Sequence, residues 1–446
     1  MGRRLHFWIF AAVLLLAPLP FGANRPWSAA LLALLTGLLC LTWPLATVGD
    51  RALQPWPLRR IAGPASLFVI VVAWALLQAS PWLPLGWAHP FWGEVAAGLG
   101  PAGPAVLPRV ALAPEAATAA TMRWVAYAGI FWLALQHGRS HRRARLLVEA
   151  LALAGGLYAA YGLVVYFSGR EMILGIPKWA YRGDLTATFV NRNSYAAYAG
   201  LGLLCAAAAL HRRLRDSRGD LPALVNHLRR PSVFFMAAAA AIVVALPLSG
   251  SRAGLVVSVG GLVVFVGALL LGRLAPAARP KAILGLAVAV VVLAGAFGGL
   301  VFWLGPTADD AEARLRIYRI ALEMIERRPW IGIGLGGFGP EFAMDRPFTI
   351  SQVWTEVHNG YLELAVELGV PAAVIFVAAI AWLVVLSLRG VLVRQRDGMF
   401  PALALAASAL LGAHALVDFS GQIPAIAATW AALLGLGVAQ GWRHAD

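Results

Sequence analysis

The chain has 446 residues, 60% of them hydrophobic and only 13% charged, about half the charged share (~25%) of an ordinary soluble domain. That balance excludes a disordered chain, which needs low hydrophobicity and high charge. It also excludes an ordinary soluble enzyme, because apolar runs repeatedly reach the ~20 residues that cross a bilayer as a helix. The net charge of +15 would suggest nucleic acid in a soluble protein. In a membrane protein it reflects the Arg and Lys that collect in cytoplasmic loops, so no nucleic-acid partner is expected.

A segment in lipid must satisfy its own backbone hydrogen bonds, so runs rich in Ala, Leu, Val and Gly are helices there whatever their β-branched content. Twelve spans are predicted, at roughly 5–22, 27–47, 61–80, 120–137, 146–168, 191–210, 232–248, 253–271, 282–305, 360–388, 399–417 and 423–441. The first is read as a retained helix rather than a signal peptide, since no clear small-residue cleavage site follows it. The basic runs HGRSHRRAR from His137, HRRLRDSRGDLPALVNHLRR from His211, GRLAPAARPK from Gly272 and RGVLVRQRD from Arg389 fall on alternate connections. The positive-inside rule puts that side, and with it both termini, in the cytoplasm. The expectation is an all-α polytopic protein, residues 1–446 forming one integral membrane domain.

Three segments on the opposite side are too long to be simple connectors: 81–119, 169–190 and 306–359. The last lies between the ninth and tenth spans. In it Leu315, Tyr318, Leu322 and Ile325 recur at helical spacing, with Arg316 and Arg319 on the other side. Pro329 and the glycines of WIGIGLGGFG end this helix, which is expected to lie along the membrane surface or to cover a cavity.

Arginines on the outer side run against the orientation rule and need another reason. They include Arg170, Arg182 and Arg192, Arg252 in the SGSR turn, and Arg314, Arg316 and Arg319. A Ser-Gly-Ser-Arg turn at a helix start combines backbone donors, the Ser251 hydroxyl and a guanidinium, which suits a phosphate or pyrophosphate. The bland alternative is an Arg252 that snorkels to lipid headgroups. His358, in TEVHNGYLELAVELG, is the best base candidate, because imidazole titrates near neutrality. Glu356 is near enough to orient it, although an interfacial histidine that bonds a headgroup explains the same residue. Glu363 and Glu367 share a helix face and read either as partners of an outer arginine or as a proton relay. GIGLGGFG lacks the ending and the preceding strand of a nucleotide loop. No His/Cys group has zinc spacing, so neither a metal nor another cofactor is expected.

Together these segments resemble the O-antigen ligase/polymerase family of bacterial envelope glycosyltransferases. YRGDLTATFVNRNSYAAY resembles the family arginine followed by Asn-x-Asn at a helix start, with Arg182 the better match to that arginine and Asn191 and Asn193 the pair. LSGSRAG resembles its Ser-Arg-Gly element, and HNGYLELAVELG its His-Asn-x-Tyr-Leu-Glu element, carried by His358, Asn359, Tyr361 and Glu363.

The resemblance implies a twelve-helix, metal-independent, lipid-donor glycosyltransferase fold (GT-C type) in the bacterial inner membrane. It implies a periplasmic active site that takes a glycan from undecaprenyl pyrophosphate. A ligase gives the glycan to lipid A–core oligosaccharide; a polymerase gives it to another lipid-linked repeat unit. On this reading Arg182 and Arg252 hold the diphosphate, Arg316 or Arg319 assists, and His358 activates the acceptor hydroxyl with inversion at the anomeric carbon. Ligase is the preferred reading and polymerase the alternative. A transporter of an anionic lipid-linked substrate, which would place its charges near the bilayer midplane, is more distant.

Overall fold

A computed structural model of the chain describes residues 2–47, 57–216, 231–303, 308–348, 350, 352–394 and 398–442. Most of the basic run from His211, and the end of the run from Arg389, lie outside them. The fold is mostly helical. In chain order the helices are α1 (Gly2–Leu16), α2 (Pro26–Thr47), α3 (Ala62–Ala79), α4 (Phe91–Leu99), α5 (Pro114–Gly138) and α6 (His141–Phe167). A two-stranded hairpin follows, β1 (Met172–Ile173) and β2 (Ile176–Pro177), paired antiparallel. Then come α7 (Arg192–Asp216), α8 (Pro231–Leu248), α9 (Arg252–Leu271), α10 (Arg279–Trp303), α11 (Ala308–Arg327), α12 (Phe338–Asp345), α13 (Gly360–Leu368), α14 (Val370–Val393), α15 (Met399–His414) and α16 (Pro424–Gln440).

Six helices among the described residues are long and apolar enough to cross a membrane: α2, α3, α6, α7 over Arg192–Leu214, α9 and α14. The small-residue helix α16 is buried along almost its whole length, as is the first half of α7. A helix apolar on every side belongs in the middle of a bundle. Close approach of small residues makes this possible: a Cβ on Gly435 of α16 would stand 2.5 Å from the Phe131 carbonyl oxygen of α5. Leu and Val side chains of α2, α3, α8, α9 and α14 point outward instead, the arrangement expected of a lipid-facing surface.

Three local expectations need correction. The hairpin at 172–177 departs from an all-helical chain; Leu174 and Gly175 both take positive φ to make its tight turn. The tenth predicted span, 360–388, is two helices. Gly369 breaks it at φ 80° and ψ 154°, where its amide still closes α13 on Ala365 and the Val370 amide bonds Pro329 instead. Finally, the buried face of α11 is Ile317, Ala321 and Met324, whereas Leu315 and Leu322 are exposed. Spacing alone could not choose between two apolar stripes on one helix; packing against α13 and the segment before it does.

The glycine-rich run after α11 is a backbone docking strip. Ile333 and Gly334 donate their amides to the Val366 and Glu367 carbonyls of α13, Leu112 donates to the Ile333 carbonyl, and the buried Gln78 amide bonds both Ile331 and Glu367 carbonyls. The strip thereby seats the short helix α13, and the residues just before it, against the bundle.

Candidate active site

The site lies at the end of the bundle where α1 turns into α2, where α7, α9 and α13 begin, and where α15 turns into α16. Each of these starts is capped by a side chain. Asn191 Oδ1 accepts from the Asn193 and Ser194 amides at the head of α7 (2.7 and 3.4 Å). Ser251 Oγ accepts from Gly254 at the head of α9 (3.2 Å). Asn359 Oδ1 accepts from Tyr361 and Leu362 at the head of α13 (both 3.1 Å). Caps satisfy amides that a helix cannot satisfy itself; here they also aim three N-termini at one region.

A polar chain joins these heads. Ser251 Oγ donates to Asn193 Oδ1 (2.8 Å), and Asn193 Nδ2 donates to Asp418 Oδ2 (2.7 Å). Asp418 is 1% exposed; its other oxygen accepts from the Ser420 amide at 2.9 Å and from the Ser420 hydroxyl. The same Oδ2 stands 3.4 Å from His358 Nδ1, an ion-pair separation longer than a well-formed hydrogen bond. Burial alone would raise the Asp418 carboxyl. The facing His358 imidazole, His414 and the Ser420 hydroxyl outweigh it and hold Asp418 down to about 2.

His358 lines a cavity of about 230 Å³ with Tyr181, Phe189, Asn191, Ser194, Glu356 and Phe419. Its ring sits edge-on to Trp354 and Phe419, each 5.0 Å away. Its backbone is left-handed at φ 57°, and its carbonyl accepts from the Tyr318 hydroxyl of α11 (3.0 Å). Phe21 and Tyr181, which also line the cavity, are left-handed too. Such positions cost of order 1–3 kcal/mol and gather where function fixes the backbone. Burial raises the Glu356 carboxyl; the Thr355 hydroxyl and His358 oppose the rise and Asp418 adds to it.

The segment carrying His358 is anchored from behind. Buried Glu363 accepts from the Val357 amide through Oε2 (3.0 Å) and from Gln422 Nε2 through Oε1 (2.9 Å). It thus couples the loop of His358 to the turn of Asp418. Tyr361 points its hydroxyl to the Gly412 carbonyl of α15 (2.8 Å).

The predicted site residues therefore divide. His358, Glu356 and Asn191 line the cavity; Asn193, Ser251, Asn359, Tyr361 and Glu363 build its supports. The four expected diphosphate arginines lie outside the cavity lining, which among the described residues contains no arginine. Arg182 is exposed and donates to the Lys178 carbonyl. Arg252, the first residue of α9, is exposed. Arg316 is exposed and paired with Glu312 at 2.7 Å, and Arg319 is exposed. It is Arg314 of α11 that reaches the site, donating to the Val417 carbonyl next to Asp418 (3.2 Å). Arg192, paired with Asp184 at 2.9 Å, lies 5.7 Å from the Tyr181 ring centroid.

Sequence reasoning did not single out Asp418, or Ser194, whose buried hydroxyl at the cavity has no hydrogen-bond partner among the described residues. A clue to Asp418 was its isolation: an acidic residue between two apolar helices is costly unless paired.

Residues 235–377 match the family model described as O-antigen ligase. That stretch of the chain is similar to the O-antigen ligase family. The match contains Ser251, Arg252, Arg314, Glu356, His358 and Glu363, while Asn191, Asn193 and Asp418 come to the same place from outside it. The match supports an enzyme role of the ligase/polymerase type at a membrane. No curated protein matches the chain.

Proposed function

We propose that this protein is an O-antigen ligase that transfers a glycan from undecaprenyl pyrophosphate to a sugar hydroxyl of lipid A–core oligosaccharide. The single observation that carries the chemistry is the imidazole of His358, set in a small cavity with the Asp418 carboxylate 3.4 Å from its Nδ1. A proton on Nδ1 faces that carboxylate and leaves Nε2 with the lone pair needed to accept a proton.

In the proposed reaction the acceptor oxygen attacks the anomeric carbon of the donor. The new C–O bond forms as the bond to the diphosphate breaks, the hydroxyl proton passes to His358, and the anomeric centre inverts. Negative charge grows on the leaving diphosphate, which preorganised guanidinium groups stabilise. Arg182 and Arg252 at the outer rim are the proposed diphosphate holders. Arg314, in place of Arg316 and Arg319, is the proposed contribution of α11, and Arg192 adds positive potential beside Tyr181. The active end of the bundle faces the periplasm of the bacterial inner membrane, the twelve apolar runs each cross the bilayer in a GT-C type fold, and 306–359 forms a helical cap.

The direct test is His358→Ala in purified protein given lipid-linked donor and acceptor. Loss of glycan transfer is expected, and undiminished transfer rules out the base role. Release of unaltered lipid-linked sugar on the far side of a vesicle, with no new glycoconjugate, would indicate transport. Polymerase is the second reading, because both activities share the donor. Deleting the gene separates them: uncapped core with long polymer retained on undecaprenol marks a ligase, and core bearing one repeat unit marks a polymerase.

A further inference from the structure

At about 230 Å³ the cavity is smaller than the ~300–1,000 Å³ of a usual small-molecule site. It has room for the reacting part of a glycan and leaves the next sugar outside. A surface at the mouth must therefore meet that sugar, or the chain binds it nowhere.

The mouth is built partly by residues far from the matched family region. Phe21 and Asn24, in the turn from α1 to α2, line the cavity beside His358. The turn is fixed there: Phe21, Gly22 and Ala23 are successively left-handed, and a Cβ on Gly22 would stand 2.6 Å from the Phe189 ring of the cavity wall. Phe21 also joins an aromatic–cation group with residues outside the cavity lining. Its ring centroid lies 5.7 Å from that of Trp179, on the segment after the hairpin. The Arg25 guanidinium lies 4.8 Å from the Trp179 ring and 5.4 Å from the Phe21 ring. Trp179 is nonetheless 49% exposed. Two segments about 155 positions apart in sequence are joined by this one aromatic–cation cluster, and it begins inside the cavity.

We propose that Phe21, Arg25 and Trp179 form a carbohydrate subsite at the mouth, with the exposed indole stacking on the apolar face of the pyranose next to the reacting sugar and Arg25 donating to its ring substituents. The inference rests on the glycosyl-transfer reading for its choice of ligand. An indole that also carries a guanidinium against it is held in one orientation, so less freedom is lost when a flat sugar face arrives. Arg25 supplies directed donors. The sugar belongs either to the donor glycan or to the acceptor; the ring chemistry is the same.

The test compares Trp179→Ala and Trp179→Phe with the unmodified protein in detergent micelles. KM is measured for lipid-linked donor at saturating acceptor, and for acceptor at saturating donor. We expect Trp179→Ala to raise KM about tenfold for one of the two substrates, naming the source of the sugar, with kcat within about twofold, and Trp179→Phe to recover most of the loss. Unchanged KM for both substrates overturns the subsite while leaving transfer by His358 intact. So does an equal fall in kcat and thermal stability that Phe does not restore. Saturation-transfer NMR with the soluble oligosaccharide freed from the donor by mild acid works without turnover. A protein that binds this oligosaccharide through Trp179 but transfers nothing keeps the subsite and loses the proposed function. Absence of oligosaccharide contact in the unmodified protein removes the subsite.

Discussion

The carboxylate of Asp418 stands 3.4 Å from Nδ1 of His358. The two residues lie 60 positions apart, one before α13 and the other in the turn after α15. Asp418 is held by Asn193 and Ser420 and is itself fully buried, so its charge is aimed rather than free. An aimed carboxylate fixes an imidazole in one tautomer and stabilises the imidazolium that forms when the ring takes a proton.

Asp418→Asn keeps the shape and removes that charge. Transfer should fall by ~10²-fold or more, with KM for either substrate changed by less than about threefold. Initial rates of labelled-glycan transfer check this.

The same carboxylate makes stability depend on acid. Its folded pKa, about 2, lies below the ordinary 3.8. The stabilisation, ~2 kcal/mol, is therefore fully present above the ordinary value and is lost as pH falls from there through about 2. Thermal unfolding in detergent should show a gap between the unmodified protein and Asp418→Asn that stays constant from pH 8 to about 5 and narrows below about 4.

Glu363 ties the His358 loop to the Asp418 turn. Glu363→Ala strands the Val357 amide and the Gln422 side chain, at ~1–3 kcal/mol for each buried group left unsatisfied. Melting temperature and transfer should fall together. Glu363→Gln, which still accepts one of the two bonds, should lose less of both.

Gly369 allows α13 to end and α14 to begin against the docking strip. In Gly369→Ala the new methyl meets the Trp330 carbonyl oxygen at 2.6 Å, at φ 80°. A loss of ~2–4 kcal/mol is expected, read as a lower melting temperature with His358 chemistry weakened.

Ser194 tests the cavity without disturbing its supports. Its buried hydroxyl has no hydrogen-bond partner among the described residues, so Ser194→Ala should leave stability unchanged or raise it by up to ~1 kcal/mol. A several-fold rise in KM with that unchanged stability would show that substrate supplies the missing bond.

The sequence by itself determined the membrane class, the positions of the apolar helices, and the short capped elements that the fold brings to one end of the bundle: Asn191 and Asn193, Ser251, and the His358 segment. Hydrophobic runs are written locally because a bilayer acts on each segment separately, and helix caps are written locally because they bond within their own first turn. Tertiary structure alone decided the rest. It set Arg314 against the Val417 carbonyl beside Asp418 and left Arg316 paired with Glu312, since the rotation of α11 about its axis decides which guanidinium meets the neighbouring turn. It split the tenth span at Gly369, where a distant backbone strip competes for the hydrogen bonds. It also put Asp418 on His358. That pairing depends on how α13, α15 and α16 pack, and no spacing along one chain encodes a distance across three helices.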